Sequence, residues 1–255
     1  LEPNIKTSPG GLRDIQTTLW VCSRRYGTTN IDQLVTLGVL STTEARWLND
    51  GRRFLWWVRY GLHSLAGRKE DQLHFARQRE LSQRLGFMDT ESKSAVELFM
   101  QHYYRHVMAL SDVNDIVLQH FQEDMTAKKR SSLERLNDRF RLINRRIDIT
   151  EPDVFLRNPS AMLEMFFLMA QREENIRVRV RTIRALREAV HLIDDDFRCD
   201  PENCRLFLSI LKSPYTVVTQ LTLMRRYGVL GRYLPAFGDI VGQMQHDLFH
   251  IYTVD

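Results

Sequence analysis

The sequence predicts an all-α protein built as one or more helical bundles, with a short β-hairpin near residues 139–149. Three observations carry that prediction. Apolar residues recur at spacings of three and four along most of the 255-residue chain. Helix-start pairs such as Ser41 with Glu44 and Asp200 with Pro201 stand just before those runs, and glycines such as Gly27, Gly67 and Gly228 just after them. One stretch alone, Phe140 to Arg145, alternates with period two.

The first helix reads from Leu12 to Tyr26, with Ile15, Leu19, Cys22 and Tyr26 on one face and Gly27 as terminator. A short helix, Ile31 to Leu37, ends at Gly38. Ser41 and Glu44 fit a capping box, so a helix starts near Thr42 and continues to Ala66. Leu48, Leu55, Val58, Leu62 and Leu65 form its buried stripe. Trp47, Trp56 and Trp57 widen that stripe beyond one seam, so at least two neighbours are expected to cover it. Phe75 to Leu85 is a short helix closed by Gly86. The longest periodic run, from about Thr90 to Gln122, carries Val96, Met100, Tyr103, Val107, Leu110, Val117 and Phe121. Some 30 residues at ~1.5 Å each span roughly 45 Å, the length of a bundle's spine.

Glu123 to Asp138 breaks the pattern and reads as a connector or as the tail of the long helix. Asn158 and Pro159 open a nearly all-apolar helix, SAMLEMFFLMAQ, whose Met and Phe residues read as core filling. A helix from about Arg179 to Ile193 turns Ile183, Leu186, Val190 and Ile193 inward. Asp200–Pro201 and Ser213–Pro214 are two further cap-then-proline starts, and Gly228 closes the helix that begins near Tyr215. These breaks predict a first bundle over 1–125, a second helical subdomain over 126–240 and a lead-in to further sequence over 241–255. Residue 1 is not Met and residue 255 falls within HIYTVD, so both ends are expected to be cuts through a longer protein.

Net charge is +4, and the scattered arginines read as solvated helix faces. Arg225, Arg226, Tyr227, Arg232 and Tyr233 lack the spacing of a nucleic-acid motif and read as a capped helix end. Neither nucleic acid nor membrane is therefore expected as a partner. No stretch approaches the ~20 apolar residues of a membrane span, and no signal peptide is present, so a cytoplasmic location is expected. The three cysteines fit reduced thiols, and Cys199, Cys204 and His191 are too weakly patterned for zinc. Asp194, Asp195 and Asp196 read as a solvated patch at a helix end.

The opening segment, EPNIKTSPGGLRDI, holds the candidate site. Gly10 and Gly11 remove two side chains and permit positive φ, so backbone N–H groups could approach an anion. The helix start that follows adds unpaired donors and a positive dipole end. Lys6 offers a mobile charge, Ser8 a hydroxyl and Arg13 a fork suited to phosphate. The spacing is not that of a Walker loop. The same residues also describe a tight turn, with Asp14 in the first helical turn favouring the dipole. At the other end, His246, Asp247 and His250 resemble the histidine–aspartate pairs of metal phosphohydrolases, with the two histidines one turn apart.

Three stretches carry a family resemblance. EPNIKTSPGGLRDIQTTLW resembles the segment that follows the nucleotidyltransferase domain in bacterial PII uridylyltransferase/uridylyl-removing enzymes. CRLFLSIL, Cys204 to Leu211, resembles a second segment of that family. GVLGRYLPAFGDIVGQMQHDLFHIYTVD, Gly228 to Asp255, resembles its approach to the HD hydrolase domain. The resemblance covers essentially the whole chain and implies its helical region, between a transferase domain and an HD domain. In that setting the first hydrolase histidine falls after Asp255. The family often has an aromatic where His246 stands, so His246–Asp247 is not expected to be a metal ligand pair.

The resemblance implies that the parent enzyme transfers UMP from UTP to a tyrosine of the PII protein, with Mg²⁺ and UTP as its cofactors and glutamine as effector. It implies no catalytic residue in this segment and no tightly bound cofactor. Lys6, Ser8, Gly10, Gly11, Arg13 and Asp14 become nucleotide-proximal candidates at the edge of the transferase cleft. Two other readings are an HD-type metal phosphohydrolase fragment using His246, Asp247 and His250, and a non-enzymatic helical module that binds a protein partner.

Overall fold

Residues 2–126 and 132–242 are described by a computed structural model, with thirteen helices and one four-stranded sheet among them. They form two compact units, 2–122 with 240–242 and 123–239. No helix among the described residues is long and apolar enough to cross a membrane.

Capping chemistry sets the limits of the first unit's helices. Helix α1 (Leu12–Tyr26) stops where Gly27 takes φ 73°, a conformation that costs other residues strain. Helix α2 (Ile31–Thr36) starts on the Asn30 side chain, which accepts the Gln33 N–H at 3.0 Å. Helix α3 (Thr42–Ala66) opens on the reciprocal pair expected from its sequence: the Glu44 N–H donates to Ser41 Oγ at 3.2 Å and the Ser41 N–H to the Glu44 carboxylate at 2.8 Å. Helix α4 (Phe75–Arg84) follows. Helix α5 (Ala95–Thr126) begins five residues later than its periodicity suggests, because Thr90 and Lys93 close a turn and Ser94 with Glu97 form another reciprocal cap. It continues past Gln122 to Thr126, so the first residues of the expected connector are helical.

The buried face of α5, including Phe99, Met100, Tyr103, Val107, Leu110 and Val117, shares one core with Ile15, Leu34, Leu55, Val58, Leu62 and Leu81. Gly51 lets α3 approach α5 closely: a Cβ there would meet the Leu110 side chain at 2.7 Å. Helices α1, α2 and α4 all pack on α3. At least two neighbours therefore cover α3, as expected, and Trp47 packs against the core, while Trp56 and Trp57 remain 49% and 47% exposed.

The second unit contains β1 (Leu133–Arg135), β2 (Phe140–Ile143), β3 (Arg146–Ile149), α6 (Val154–Arg157), α7 (Ala161–Ala170), β4 (Arg177–Val178), α8 (Val180–Ala189), α9 (Asp195–Cys199), α10 (Pro201–Leu211), α11 (Val217–Arg226) and α12 (Val229–Tyr233). Helix α13 spans Pro235–Ile240. The sheet order is β1-β2-β3-β4, antiparallel except for the parallel β3–β4 pair. The expected hairpin is β2–β3, joined by Asn144 and Arg145, both with positive φ (51° and 59°), as a two-residue hairpin turn requires. Strands β1 and β4 are three and two residues long, too short to show a period in sequence.

Two helix starts differ from expectation. Ser213 does not cap α11: it is buried, its hydroxyl donates to the Ala170 carbonyl, and α11 starts only at Val217. Asn158 closes the turn before α7 with its backbone carbonyl, accepting from Ala161 at 3.0 Å, so the helix starts two residues after Pro159. The Asp200–Pro201 start is present, with the Asp200 carboxylate accepting from Glu202 and Asn203 at 2.7 and 3.2 Å.

Asp148 of β3 is the buried charge of this unit. Its carboxylate accepts from Arg181 at 2.5 and 2.7 Å and from Arg141 at 3.2 Å, with Arg179 3.6 Å away. Asp148→Asn would leave these guanidinium groups without their buried counter-charge. It should lower the stability of the unit by about 3–5 kcal/mol in urea unfolding. Asp153→Asn, which removes an exposed pair with Arg157, should cost less than about 1 kcal/mol.

Candidate functional site

The opening bend is held by its own polar groups. The Asn4 side-chain oxygen accepts the N–H groups of Lys6 and Thr7 at 3.1 and 2.9 Å, and the Asn4 N–H donates to Ser8 Oγ at 2.9 Å. The carbonyls of Asn4, Ile5, Lys6 and Ser8 accept from Ser8, Leu12, Arg13 and Gly11 at 2.8–3.1 Å. The Ile5 N–H donates to the Asp71 carbonyl at 2.8 Å and the Gly10 N–H to Asp14 Oδ2 at 2.6 Å. Every N–H from Asn4 to Asp14 has an acceptor, Pro9 having none to donate.

This pattern overturns the expectation that bare amides at Gly10 and Gly11 face an anion. Both glycines are buried, and their role is close approach. Gly10 has φ 73°, and a Cβ there would lie 1.9 Å from the Val107 carbonyl oxygen of α5. A Cβ on Gly11 would lie 2.7–3.0 Å from the carbonyl oxygens of Ser8, Ile5 and Lys6. Asp14 holds the bend shut, and Ser8 accepts within it. The remaining groups able to address an anion are side chains. Lys6 is half-buried and Arg13 exposed, and neither side chain has a hydrogen-bond or ion-pair partner among the described residues.

Asp71 anchors the bend from the α3–α4 connection. Its carboxylate accepts from Arg59 at 2.7 Å and lies 3.3 Å from His63, and the Arg59 guanidinium holds its carboxyl below the usual range. Beside the bend lies a cavity of about 390 Å³ lined by Ser8, Pro9, Tyr103, Tyr104, Val107 and Ser111, among others. Tyr103 is fully buried, and neither tyrosine hydroxyl has a partner among the described residues. Burial pushes the Tyr104 phenol up to about 12 and raises Tyr103 as well, so both stay protonated donors.

A second cluster lies on another face of α5. His102 and His106 approach to 3.1 Å between their Nε2 atoms, and the His106 ring stacks on Phe54 at 4.5 Å. With Asp50, Arg53 and Trp57 they line a cavity of about 500 Å³. No group of three or more potential metal ligands occurs among the described residues. Asp194 caps α9 through the Phe197 N–H at 2.9 Å. Cys22 is buried, which raises its thiol to about 11. His246, Asp247 and His250 lie outside the described residues. Sequence reasoning missed the tyrosine and histidine groups. Their traces were the adjacent Tyr103–Tyr104 pair and the His-x-x-x-His spacing, both inside a run read only for its apolar period.

Comparison with known proteins places two family models on the chain: GlnD PII-uridylyltransferase over residues 1–118, and Uridylyltransferase GlnD third domain over residues 140–233. Curated relatives include bifunctional uridylyltransferase/uridylyl-removing enzymes of Pseudomonas aeruginosa, Pseudomonas putida and Pseudomonas savastanoi, at 53%, 55% and 52% identity. Each alignment covers 100% of this chain and 28% of the relative, so the chain spans under a third of the length of the proteins it matches. No solved structure matches it.

Two outcomes follow from this geometry. Gly10→Ala should destabilise the first unit by about 3 kcal/mol or more, because positive φ and the Val107 carbonyl both oppose a Cβ. Gly27→Ala, with open space around its Cβ, should cost about 1–2 kcal/mol in the same denaturation assay. Burial lowers both His102 and His106 from the ordinary value near 6.5; Arg105 pushes His102 further down, and Asp50 opposes the shift at His106. The unfolded chain therefore takes up protons first. Stability should hold above about pH 6.5 and fall as the pH drops below it. His102→Gln and His106→Gln should flatten that fall in urea midpoints measured against pH.

Proposed function

The chain belongs to the GlnD uridylyltransferase family, and from that premise we propose that it is the helical module supporting UMP transfer in a longer bifunctional enzyme. That enzyme would move UMP from UTP to a tyrosine of the PII protein and remove it again, in the cytoplasm, with glutamine as effector. The chemistry would belong to a transferase domain and an HD domain that flank this module. Its own contribution would be to steer the triphosphate with Lys6 and Arg13. The observation that carries this reading is the state of the bend: its amides are all engaged, while its two cations have no counter-charge among the described residues. Buried ion pairs elsewhere in the chain show that its arginines take carboxylate partners where these are built for them.

Mg²⁺ does not fit the residues of the bend. Asp14 Oδ2 is taken by the Gly10 N–H at 2.6 Å, and Asp14 belongs to no group of three or more potential metal ligands among the described residues. Mg²⁺ would be held by the transferase domain and would supply charge stabilisation there.

A second reading, a docking module for a protein partner, is favoured by four exposed aromatics on α1 and α3: Trp20, Trp56, Trp57 and Tyr60. The two readings are compatible, because these aromatics are not residues of the bend.

The test uses the full-length enzyme. Lys6→Ala and Arg13→Ala should each raise the KM for UTP about fivefold or more while leaving the melting temperature within about 1 °C, as expected for charged side chains that hold no hydrogen bond or ion pair among the described residues. Unchanged KM and kcat in both variants would remove the nucleotide role and leave the docking reading.

A further inference from the structure

The histidine cavity on the other face of α5 carries a geometry that the nucleotide reading does not use. His102 and His106 are four residues apart on one helix, so their rings project from consecutive turns of the same face. Their Nε2 atoms approach to 3.1 Å. Two nitrogens bound to one metal at about 2.0–2.1 Å lie about 2.9 Å apart at a right angle and about 3.3 Å apart at the tetrahedral angle. The separation in this chain falls between those two values.

Aromatic packing aims the rings. The His106 ring stacks on Phe54 of α3, with centroids 4.5 Å apart and planes at 21°, and the His102 ring meets the same Phe54 edge to face at 4.9 Å and 71°. Phe87 lies against His102 at 5.9 Å. These contacts direct both rings to one spot, which lowers the entropy cost of binding there. To face a common metal, each Nε2 has to turn about 40° off the line between them, within the breadth of the terminal torsion of histidine.

The pair is also reachable. His102 is exposed and His106 half-buried, and with Asp50, Arg53, Phe54 and Trp57 they line a cavity of about 500 Å³. At ~30 Å³ per water, that holds an ion together with its remaining waters. Asp50 and Arg53 pair with each other at 3.7 Å, so the charges of the lining balance and the donors are the imidazoles. Neutral imidazole suits Zn²⁺, Ni²⁺ or Cu²⁺, whereas Mg²⁺ and Ca²⁺ take oxygen ligands. The two histidines belong to no group of three or more potential ligands among the described residues. The other coordination positions therefore fall to water, an open arrangement that accepts a further ligand.

We propose that His102 and His106 form a two-histidine site for a divalent transition metal, open to solvent on its remaining positions. The site shares no residue with the bend. It stands whether or not Lys6 and Arg13 serve a nucleotide.

The experiment uses the full-length enzyme, freed of metal by chelation and then dialysed against Zn²⁺ buffered by a competing chelator. His102→Gln and His106→Gln are compared with the parent. The parent should hold one Zn²⁺ per chain that both variants lack, since any other metal site of the longer enzyme is common to all three. Removing one of two linked ligands should weaken this Zn²⁺ about a hundredfold. A second measurement uses the unaltered enzyme and so does not depend on how the variants fold. Labelling of His102 and His106 by diethyl pyrocarbonate is followed by peptide mass spectrometry. At free Zn²⁺ about ten times the Kd, roughly a tenth of the sites are empty, so labelling of both histidines should slow about tenfold. Mg²⁺ at the same concentration should leave it unchanged. Equal Zn²⁺ content in the parent and both variants would overturn the site, and so would labelling that Zn²⁺ does not slow. Equal slowing by Mg²⁺ would overturn it too, by reporting a general effect of ions. In each of these cases the imidazoles are a hydrogen-bonded pair only.

Discussion

The first unit depends on one contact, the approach of the Gly10 backbone to the Val107 carbonyl of α5. No side chain fits between them, because a Cβ at Gly10 would fall 1.9 Å from that oxygen. With the bend seated there, its geometry is closed by short-range bonds: Asn4 and Ser8 tie its outer loop, and Asp14 takes the Gly10 N–H. The Asp71 carbonyl holds it from the other side through Ile5. The glycines are thus required by steric space, and their conformational freedom serves packing. A segment that resembles a phosphate cradle in sequence instead engages its backbone donors internally, and the Lys6 and Arg13 side chains are what remains without partners among the described residues.

That substitution of roles explains which parts were legible in the sequence. Helix ends are local chemistry, and they were readable. Ser41 with Glu44 and Asp200 with Pro201 satisfy donors within three residues of themselves, and Gly27 and Gly228 need only their own φ. The β2–β3 hairpin was readable from alternation, because Phe140 and Leu142 pair with Ile149 and Ile147 on one buried face. What failed was long-range. The Ser213–Pro214 pair has the form of a cap, but the hydroxyl is taken by Ala170, 43 residues away. The amides of Gly10 to Arg13 look free in sequence, because their acceptors are set by how the loop folds back on itself. A hydrogen-bond donor's fate depends on which acceptor arrives first, and sequence spacing records only the nearby ones.

The second unit solves a different problem. Its sheet is small, with strands of two to four residues, and cannot bury much apolar area by itself. Asp148 sits fully buried on β3 and draws Arg141 of β2 and Arg179 and Arg181 from around the start of α8 toward one carboxylate. Glu123 does the same on a smaller scale, accepting from Arg179 and from the Val180 N–H. Such clusters fix register more than they add stability, because desolvation offsets much of the attraction. The arginines that read as solvated charge in sequence therefore divide into two populations, and burial of a carboxylate partner separates them.

Helix periodicity finally accounts for the density of chemistry on α5. His102 and His106 are one turn apart and share a face with Phe54 and Trp57, whereas Tyr103 and Val107, offset by one residue, share the face toward the bend. A stretch of six residues thereby serves two cavities, and its apolar members cannot be changed for one without disturbing the other. The packing of Val107 against Gly10 fixes the axial position of this stretch. The tyrosines lie within one turn before it, so the same backbone contact that consumes the glycines also sets where the phenols stand relative to Ser8 and Pro9. A displacement of the bend along α5 would move the Lys6 and Arg13 attachment points and the cavity wall together. This mechanical coupling makes the bend and the wall of the adjoining cavity parts of a single rigid element.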